Sequence, residues 1–267
     1  MAKDRKVAFA VAAHPDDIEF TMAGTLILLR EKGYELHYMN VANGSCGTAT
    51  HGTEEIIRIR TREARAAAAL IGAIFHAPLV DDIDIFYEKK TLARMGAVMR
   101  EVNPTILLVQ SPEDYMEDHI NSGRLAVSAA FCKGMRNFPT SPRRRPVEGE
   151  CAIYHALPHG LMGPLRRRVR AGLYVDVSSV MKRKRAMLAC HKSQKEWLDR
   201  SQGMDSYLIT MEELCREVGK ASKAFPYAEG WRRHSHWGFS GRAIDPLAKA
   251  LGSKAHVDKG YEKELRE

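Results

Sequence analysis

Residues 7–17 read VAFAVAAHPDD. The seven consecutive apolar residues predict a strand that is buried on both faces, and Pro15 ends it. The turn that follows contains a histidine and two aspartates, His14, Asp16 and Asp17. In open α/β sheets, ligands bind at the carboxyl ends of the strands. Burying three titratable groups is costly unless a cation compensates their charge, so this turn predicts a divalent metal site.

An alternative interpretation of the same turn is purely structural. Asp16 or Asp17 would then cap the helix that is predicted to begin near Ile18, because a carboxylate at a helix start accepts hydrogen bonds from free backbone N–H groups. The residues of this turn alone leave both interpretations open.

Strand and helix patterns alternate through the first half of the chain. Strands are predicted at Lys6–Ala13, Glu35–Val41 and Thr105–Gln110, and helices at Ile18–Lys32, Glu54–Ile71, Thr91–Val102 and Ile120–Lys133. The second half adds short strands at Cys151–Ala156 and Leu173–Val177, and helices at Ser178–Lys195 and Thr210–Lys223. This order predicts an α/β fold: a Rossmann-like, doubly wound, mostly parallel sheet with helices on both faces and a smaller C-terminal extension. We expect one domain over residues 1–240 and a basic tail or helix over residues 241–267.

The charge of the chain is +8, from 41 basic and 33 acidic residues. Much of the excess lies in three runs, at 143–145, 166–168 and 182–185. Because neither interleaved aromatic residues nor a nucleic-acid motif accompanies these runs, we interpret them as solvated loops and helix faces. Attraction of an anionic small substrate is the alternative. The composition therefore predicts no nucleic-acid partner.

The five cysteines contain no CxxC pair, so the sequence predicts neither a disulfide framework nor a cysteine-based zinc site. A reducing cytoplasm fits this cysteine usage. No stretch approaches the roughly 18 apolar residues that a membrane span needs. The sequence thus predicts a cytoplasmic protein without a membrane span.

A second turn has the same form as the first. Residues 110–119, QSPEDYMEDH, follow the strand predicted at Thr105–Gln110 and end in His119, at the start of a helix. Both turns lie on one edge of a parallel sheet, so His119 can approach His14 and Asp17. Two histidines and one carboxylate form a common catalytic zinc set, which leaves a coordination position for water. Taken alone, His119 is also compatible with an ordinary histidine at a helix start.

These segments resemble a known family. The sequence Ala13-His14-Pro15-Asp16-Asp17 is similar to the AHPDD signature of the PIG-L/LmbE family of zinc-dependent N-deacetylases. Four shorter segments also resemble motifs of that family, in the right order: Asn43-Gly44 with Gly47-Thr48, Arg60-x-x-Glu63, Asp118-His119 and His191-Lys192-Ser193-Gln194. The resemblance covers roughly residues 6 to 200, and the first motif is the specific one.

The resemblance implies a metal centre and a division of roles. It implies that His14, Asp17 and His119 hold one Zn²⁺ per chain and that Asp16 is the general base. Zinc lowers the pKa of its water to around 7, and a nearby carboxylate outside the ligand set can take the proton. Asp118 would orient or tune a neighbouring imidazole.

The resemblance also implies substrate contacts. Arg60 corresponds to a family arginine that contacts the substrate sugar, and Asn43 and Ser45 can offer hydrogen bonds to sugar hydroxyls from the glycine-rich loop. A surface arginine and a plain turn are the structural alternatives. The segment Tyr227–Trp237, dense in aromatic and basic residues, can line the pocket, form an oligomer contact or simply pack.

One position departs from the family pattern. The family often carries H-P-D-H where this chain reads Met116-Glu117-Asp118-His119, and the earlier histidine is thought to stabilise the oxyanion or act as an acid. Methionine can donate neither a hydrogen bond nor a proton. Either the metal and base suffice, or another donor replaces it; the candidates are Tyr115, His159, His234 and His236.

The predicted function is that of a zinc-dependent hydrolase that removes an acetyl group from an N-acetylated amino sugar or its glycoconjugate. The alternatives are an amidase acting on a non-sugar amide and a non-catalytic scaffold of the same fold. The predicted partner is a small N-acetyl sugar substrate. We also expect a homo-oligomer, as in the family.

Overall fold

The computed structural model describes residues 6–195 and 207–265. Its centre is one mixed sheet of eight strands in the described part of the chain: β1 Val7–Ala12, β2 Glu35–Asn40, β3 Ile74–His76, β4 Ile106–Val109, β5 Ala152–Ala156, β6 Leu173–Asp176, β7 Ala228–Arg233 and β8 Ala255–Val257. The strand order is β3-β2-β1-β4-β5-β7-β6-β8. Residues 1–5, 196–206 and 266–267 lie outside the description, the last pair at the end of the predicted C-terminal extension.

Helices cover both faces of this sheet: α1 Asp17–Thr21, α2 Ala23–Glu31, α3 Thr53–Leu70, α4 Lys89–Val102, α5 Glu117–Cys132, α6 Met181–Leu188, α7 Tyr207–Ser222, α8 Pro246–Leu251 and α9 Lys259–Glu264. Among the described residues, single 3₁₀ turns lie at His159–Leu161, Ser178–Val180 and Gly252–Lys254. In the two described ranges, none of the helices combines the length and the apolar character needed to cross a bilayer.

The strand β1 divides the core into two layers. Ala8, Ala10 and Ala12 face a cluster built with α2, α3, α6 and α7. Phe9 and Val11 face the opposite cluster, which is built with α4 and α5. Both faces of a strand are buried in this way only where helices cover both sides of the sheet. The predicted α/β class, with helices on both faces, is confirmed.

The sheet is parallel in one half and antiparallel in the other. Strands β3, β2, β1, β4 and β5 pair in parallel, whereas β7, β6 and β8 join with antiparallel pairings. The antiparallel half was not predicted in this form. The strand β7 lies in the segment Tyr227–Trp237, where Trp231 is fully buried, so this part of the segment serves packing. The stretch after residue 241 contributes two short helices and the edge strand β8.

The helix predicted at Ile18–Lys32 is broken at Met22 into α1 and α2. A buried carboxylate explains the break, because Glu229 from β7 accepts hydrogen bonds from the backbone N–H groups of Gly24 and Thr25, at 2.8 and 2.7 Å. Lys184 of α6, itself fully buried, pairs with the same carboxylate. This ion pair ties three separate elements together, and its charges are balanced inside the core.

The helix predicted at Ser178–Lys195 also differs from the structure. It consists of a 3₁₀ turn, α6 and a further helical stretch at 192–195, with a turn at 189–190 between them. The turn directs His191 into the interior, where its Nε2 lies 3.4 Å from Glu19 Oε2. The sequence pattern does not reveal this buried pair of polar side chains, so it predicted one continuous helix.

A buried histidine on β5 predicts how stability depends on pH. His155 Nδ1 is 3.0 Å from the Gln110 carbonyl oxygen, and Nε2 is 2.9 Å from His234 Nδ1. Burial, together with the charges of His234 and Arg232, lowers the pKa of His155 from 6.5 to about 4. The unfolded chain therefore takes up this proton before the folded chain does as the pH falls.

We expect the free energy of unfolding to fall between pH 6.5 and about 4, with a contribution of about 1.4 kcal/mol per pH unit from this residue. Urea unfolding of H155Q across this range is expected to show a shallower pH dependence than the parent chain. H256Q, at an exposed histidine, is the matched control. An unchanged slope in H155Q would contradict the assignment.

Candidate metal centre

The two turns singled out in the sequence meet at the carboxyl edge of the parallel half of the sheet. The strands β1 and β4 are adjacent and parallel, with Val11 opposite Val109. His14 and Asp17 follow β1 directly, and His119 lies in the first turn of α5, after β4. Neighbouring parallel strands thus deliver the three side chains to one place, as the topology requires.

The three side chains form a compact group. One potential ligand atom from each of His14, Asp17 and His119 lies within 4.8 Å of the others. His14 Nδ1 is 3.5 Å from one Asp17 oxygen, and His119 Nε2 is 3.5 Å from the other. Two imidazole nitrogens and one carboxylate oxygen are a donor set that suits zinc and leaves a position open for water. The residues present therefore fit a divalent metal.

Each imidazole is supported from behind by another carboxylate. Asp118 Oδ2 is 2.9 Å from His14 Nε2, and Asp114 Oδ1 is 2.9 Å from His119 Nδ1. Such a carboxylate fixes the tautomer, so that the other ring nitrogen presents its lone pair to a metal. Asp118 was predicted to orient a neighbouring imidazole. Asp114 was not singled out, although it stands in the same acidic turn, five residues before His119.

The electrostatics of the group favour a cation. Burial works against protonation of His14, but hydrogen bonds to Asp118 and Asp17 outweigh it and raise its pKa to about 10. For Asp17, burial is likewise outweighed, here by the charges of His119 and His14, and its pKa lies well below the usual range. The carboxylates thus create a strongly negative potential at the ligand nitrogens, which attracts either protons or a metal ion.

Asp16 lies beside this group in an unusual backbone conformation. Its φ is 108°, in the left-handed region, where a non-glycine residue is strained. Tyr207 of α7 donates a hydrogen bond to Asp16 Oδ2, and Arg60 Nη2 is 3.8 Å from Oδ1. Burial and the charge of Asp17 raise the pKa of Asp16 to about 6, against the opposing charge of Arg60. Its carboxylate is therefore held by residues other than the three candidate ligands.

The three residues predicted to bind substrate are engaged within the protein. Arg60 is buried and donates to the carbonyl oxygens of Pro15 and Gly44, at 2.7 and 3.4 Å. The Asn43 amide bonds to Asp81, and the Ser45 hydroxyl accepts from the Asp82 N–H. These side chains shape the loops around the centre, and their contact with a substrate stays a prediction.

The glycine-rich loop packs directly on Arg60. A Cβ at Gly47 would lie 2.1 Å from Arg60 Nη1, and one at Gly44 would lie 2.5 Å from Arg60 Cδ. Gly44 also has a positive φ of 84°, which glycine adopts without strain. The glycines are thus required by the close approach of the arginine.

Sequence reasoning missed the loop that follows β3. Asp82 accepts hydrogen bonds from the N–H groups of Gly44 and Cys46, at 2.7 and 3.0 Å. The next residue, Ile83, has a φ of 65°, and its N–H donates to Asp118 at 2.8 Å. A positive φ is a genuine outlier for a β-branched residue. The only signal in the sequence was the acidic pair Asp81-Asp82, which does not reveal its partners.

The candidates for the missing acid near Met116 occupy different surroundings. His159 stands in the 3₁₀ turn after β5, is half-buried and interacts electrostatically with Asp17 and His119. Tyr115 is exposed, and its ring lies between the two histidines, with its centroid 5.5 Å from that of His119 and 6.4 Å from that of His159. The structure therefore brings His159 and Tyr115 to the centre.

The other two candidates are engaged elsewhere. His234 is bonded to His155, and His236 stacks on Trp237 with ring centroids 4.8 Å apart. The sequence alone gave no means of ranking the four.

The fold and the three-residue group define an α/β protein with a candidate metal centre at the edge of its sheet. The sequence model of the PIG-L family, described as GlcNAc-PI de-N-acetylase, matches residues 9–130, which include all three candidate ligands. This match supports the resemblance to the PIG-L/LmbE family that the motifs indicated.

Individual relatives span most of the chain. A 4-oxalmesaconate hydratase of Pseudomonas putida is 28% identical over 203 residues, which are 73% of this chain and 76% of the relative. A diacetylchitobiose deacetylase of Thermococcus kodakarensis is 27% identical over 198 residues, 72% of this chain and 71% of the relative. The fold is similar to that of N,N'-diacetylchitobiose deacetylase from Pyrococcus horikoshii, with a TM-score of 0.73, 20% identity and coverage of 91% and 89%. Both relatives in sequence are enzymes, which supports an enzymatic role for this chain.

Substitution of the carboxylates that support the two histidines is expected to weaken metal binding less than substitution of a ligand. D114N and D118N keep the shape of the side chain but weaken the orientation of one imidazole each, so we expect a loss of metal affinity of about 10–100-fold. H119A removes a ligand and is expected to abolish stoichiometric binding. Metal content after dialysis against a chelator series measures these effects. D84N, an exposed aspartate in the neighbouring loop, is the control, and a similar loss there would contradict the assignment.

Proposed function

We propose that the chain is a metal-dependent hydrolase, with one zinc ion per chain, that removes an acetyl group from an N-acetylated amino sugar or its glycoconjugate. The observation that carries this proposal is the group of His14, Asp17 and His119, with the buried Asp16 carboxylate beside it and outside the ligand set. The diacetylchitobiose deacetylase relative, at 27% identity, supports the substrate class. A cytoplasmic homo-oligomer stays the expectation from the sequence.

A divalent metal held by the three ligands would supply a Lewis acid for the acyl carbonyl and would lower the pKa of water. Asp16 accepts the proton of the attacking water, because its carboxylate adjoins the ligands. Asp16 keeps that position through the hydrogen bond from Tyr207 to its carboxylate and the hydrogen bond from Arg60 to the preceding carbonyl of Pro15. Asp16 then returns the proton to the departing amine nitrogen as the carbon–nitrogen bond breaks, leaving acetate and a free amine.

His159 is the residue that we assign to the position left open by Met116. Burial lowers the pKa of His159, against the attraction of Asp17, so the ring is neutral at physiological pH. A neutral imidazole can still donate a hydrogen bond from its N–H group. Phe20, with its ring centroid 5.1 Å away, and Tyr115 hold the ring between them. His159 would thus donate to the oxygen of the tetrahedral intermediate.

A hydratase is the second candidate. The relative with 28% identity is a hydratase, and Met116 removes an acid that the release of an amine would use. In hydration, Asp16 would again take a proton from the attacking water. The hydroxyl group would add to one carbon of a carbon–carbon double bond, the proton would go to the neighbouring carbon, and no amine would leave. The candidate ligand set is compatible with both reactions, so assays with the two kinds of substrate separate them.

Substitution of the base separates binding from chemistry. D16N removes the proton acceptor and leaves the three ligands in place. We expect full metal content and a loss of about 10²–10⁴-fold in the rate of acetate release. N-acetylglucosamine, its oligomers and its glycosides are the test substrates, with metal quantified in each preparation. D16N that retains metal and full activity would refute the assignment of Asp16.

Substitution of His159 tests the assigned donor. H159Q is expected to lower kcat by about 10²-fold, to leave KM within a few-fold and to retain the metal, because His159 stands outside the ligand set. H236Q, at a histidine that stacks on Trp237, is the matched control and is expected to behave as the parent chain. Equal effects of the two substitutions would remove His159 from the mechanism.

Product analysis distinguishes the two candidate functions. A deacetylase releases acetate from the N-acetyl sugars, and a hydratase consumes an unsaturated oxo acid with loss of its conjugated ultraviolet absorbance. D16N is expected to abolish whichever activity is present. Acetate release by the metal-loaded parent chain supports the first proposal, whereas hydration without acetate release from any N-acetyl sugar rejects it in favour of the second.

A further inference from the structure

A second pocket lies far from the metal centre and belongs to a different part of the fold. It is a cavity of about 770 Å³ formed by Arg100 of α4 and the loop after α5. We call it the arginine pocket, and its lining is Arg100, Arg136, Asn137, Phe138, Pro139, Thr140, Arg143, Arg144, Arg145 and Pro146. Its volume is that of a site for a small molecule.

The pocket and the metal centre stand at opposite ends of α5. His119 lies in the first turn of that helix, and Cys132 is its last residue, immediately before the loop. From His119 to Cys132 the helix rises by 13 residues at about 1.5 Å each, so about 20 Å separates the two ends. A ligand of the arginine pocket is therefore not a substrate that reaches the metal centre.

The loop is held rigidly by a buried arginine. Arg100 donates to four backbone carbonyl oxygens, those of Lys133, Met135, Phe138 and Arg144, at 2.7–3.1 Å. Four carbonyl groups of the loop are therefore satisfied by one side chain of α4. Further hydrogen bonds join Ser141 N–H to the Ala93 carbonyl and Arg144 N–H to the Thr140 hydroxyl, at 3.0 and 2.8 Å. The loop is organised before any ligand arrives, which lowers the entropic cost of binding.

The charge of the pocket is largely unbalanced. Five of its ten lining residues are arginines, and no aspartate or glutamate lines it among the described residues. Arg144 pairs with Glu101, whereas Arg136, Arg143 and Arg145 are exposed and have no ion pair with any residue of 6–195 or 207–265. In the basic run at 182–185, by contrast, Arg183 pairs with Glu31 and Arg185 pairs with Glu212.

We propose that the arginine pocket binds a small molecule that carries two or more phosphate groups. Three unpaired guanidinium groups around one cavity are complementary in charge to a diphosphate or triphosphate group. The planar fork of arginine binds phosphate oxygens in pairs, with geometry that a single lysine ammonium cannot match. The concave, rigid lining favours a compact ligand over an extended polymer.

Titration calorimetry with inorganic tripolyphosphate, at near-physiological salt, tests the proposal. We expect saturable binding of one ligand per chain to the parent protein. R136Q/R143Q/R145Q removes the three unpaired charges. We expect it to weaken binding at least about 10-fold, because hydrogen bonds between charged groups are stronger than those between neutral groups. K32Q/R58Q/R242Q removes three exposed charges elsewhere and is expected to change the affinity less than about 2-fold.

A second set of variants keeps the test decisive. The single reversal R143E preserves the rest of the loop and is expected to weaken binding even if the triple variant is destabilised, which circular dichroism would reveal. H119A controls for binding of tripolyphosphate at the metal centre. We expect its affinity for tripolyphosphate to equal that of the parent chain.

Three outcomes overturn the proposal. The first is the absence of saturable tripolyphosphate binding to the parent chain. The second is equal weakening in the two triple variants, or loss of binding in H119A instead of the pocket variants. The third is pocket-dependent binding of single-stranded RNA that displaces tripolyphosphate, which would make the surface a nucleic-acid contact. None of these outcomes bears on acetate release, so the hydrolase proposal is tested separately.

Discussion

The contact of Asp17 with two imidazoles is the interaction on which the rest of the site depends. Asp17 stands at the end of a buried strand, 3.5 Å from both His14 and His119, and each histidine is backed by another aspartate. Such a density of buried carboxylates is unstable without positive charge. Protons on the imidazoles supply it in the absence of a metal, so a divalent ion that binds here displaces protons and becomes part of the stability of the folded chain.

The backbone around this contact is fixed by a single cation. Arg60 reaches from α3 to the carbonyls of Pro15 and Gly44, while Asp82 holds the glycine loop from its other side. The arginine thus sets the position of the strained turn at Asp16 and of the glycine loop together. This arrangement explains why a residue predicted for substrate contact is buried: its first task is to hold two loops, and any sugar contact would be additional.

The sequence predicted the parts of the molecule whose signals are local. The apolar run at 7–13, the alternation of strands and helices and the matching acidic turns were sufficient for the α/β class and for the candidate ligands. Contacts between distant segments were not predictable in this way. Glu229 breaks the helix at Met22 from 205 residues away, measured to Gly24, and Tyr207 reaches Asp16 across 191 residues. The local pattern of apolar and polar residues does not indicate which distant residues will be in contact.

The strand ends that form the site differ in how closely their residues resemble the family motifs. The candidate ligands and the base follow β1 and β4, whereas His159 follows β5, the next strand in the sheet order. With His159 assigned as the donor, three adjacent strand ends contribute to the proposed site, and the third contributes a group outside the motifs that resemble the family. In the proposed mechanism, a hydrogen-bond donor from the turn after β5 takes the place that Met116 leaves open. Because that turn is an irregular segment beyond the last parallel strand, it can vary without disturbing the metal ligands, and it is there that a deacetylase and a hydratase of one fold can diverge.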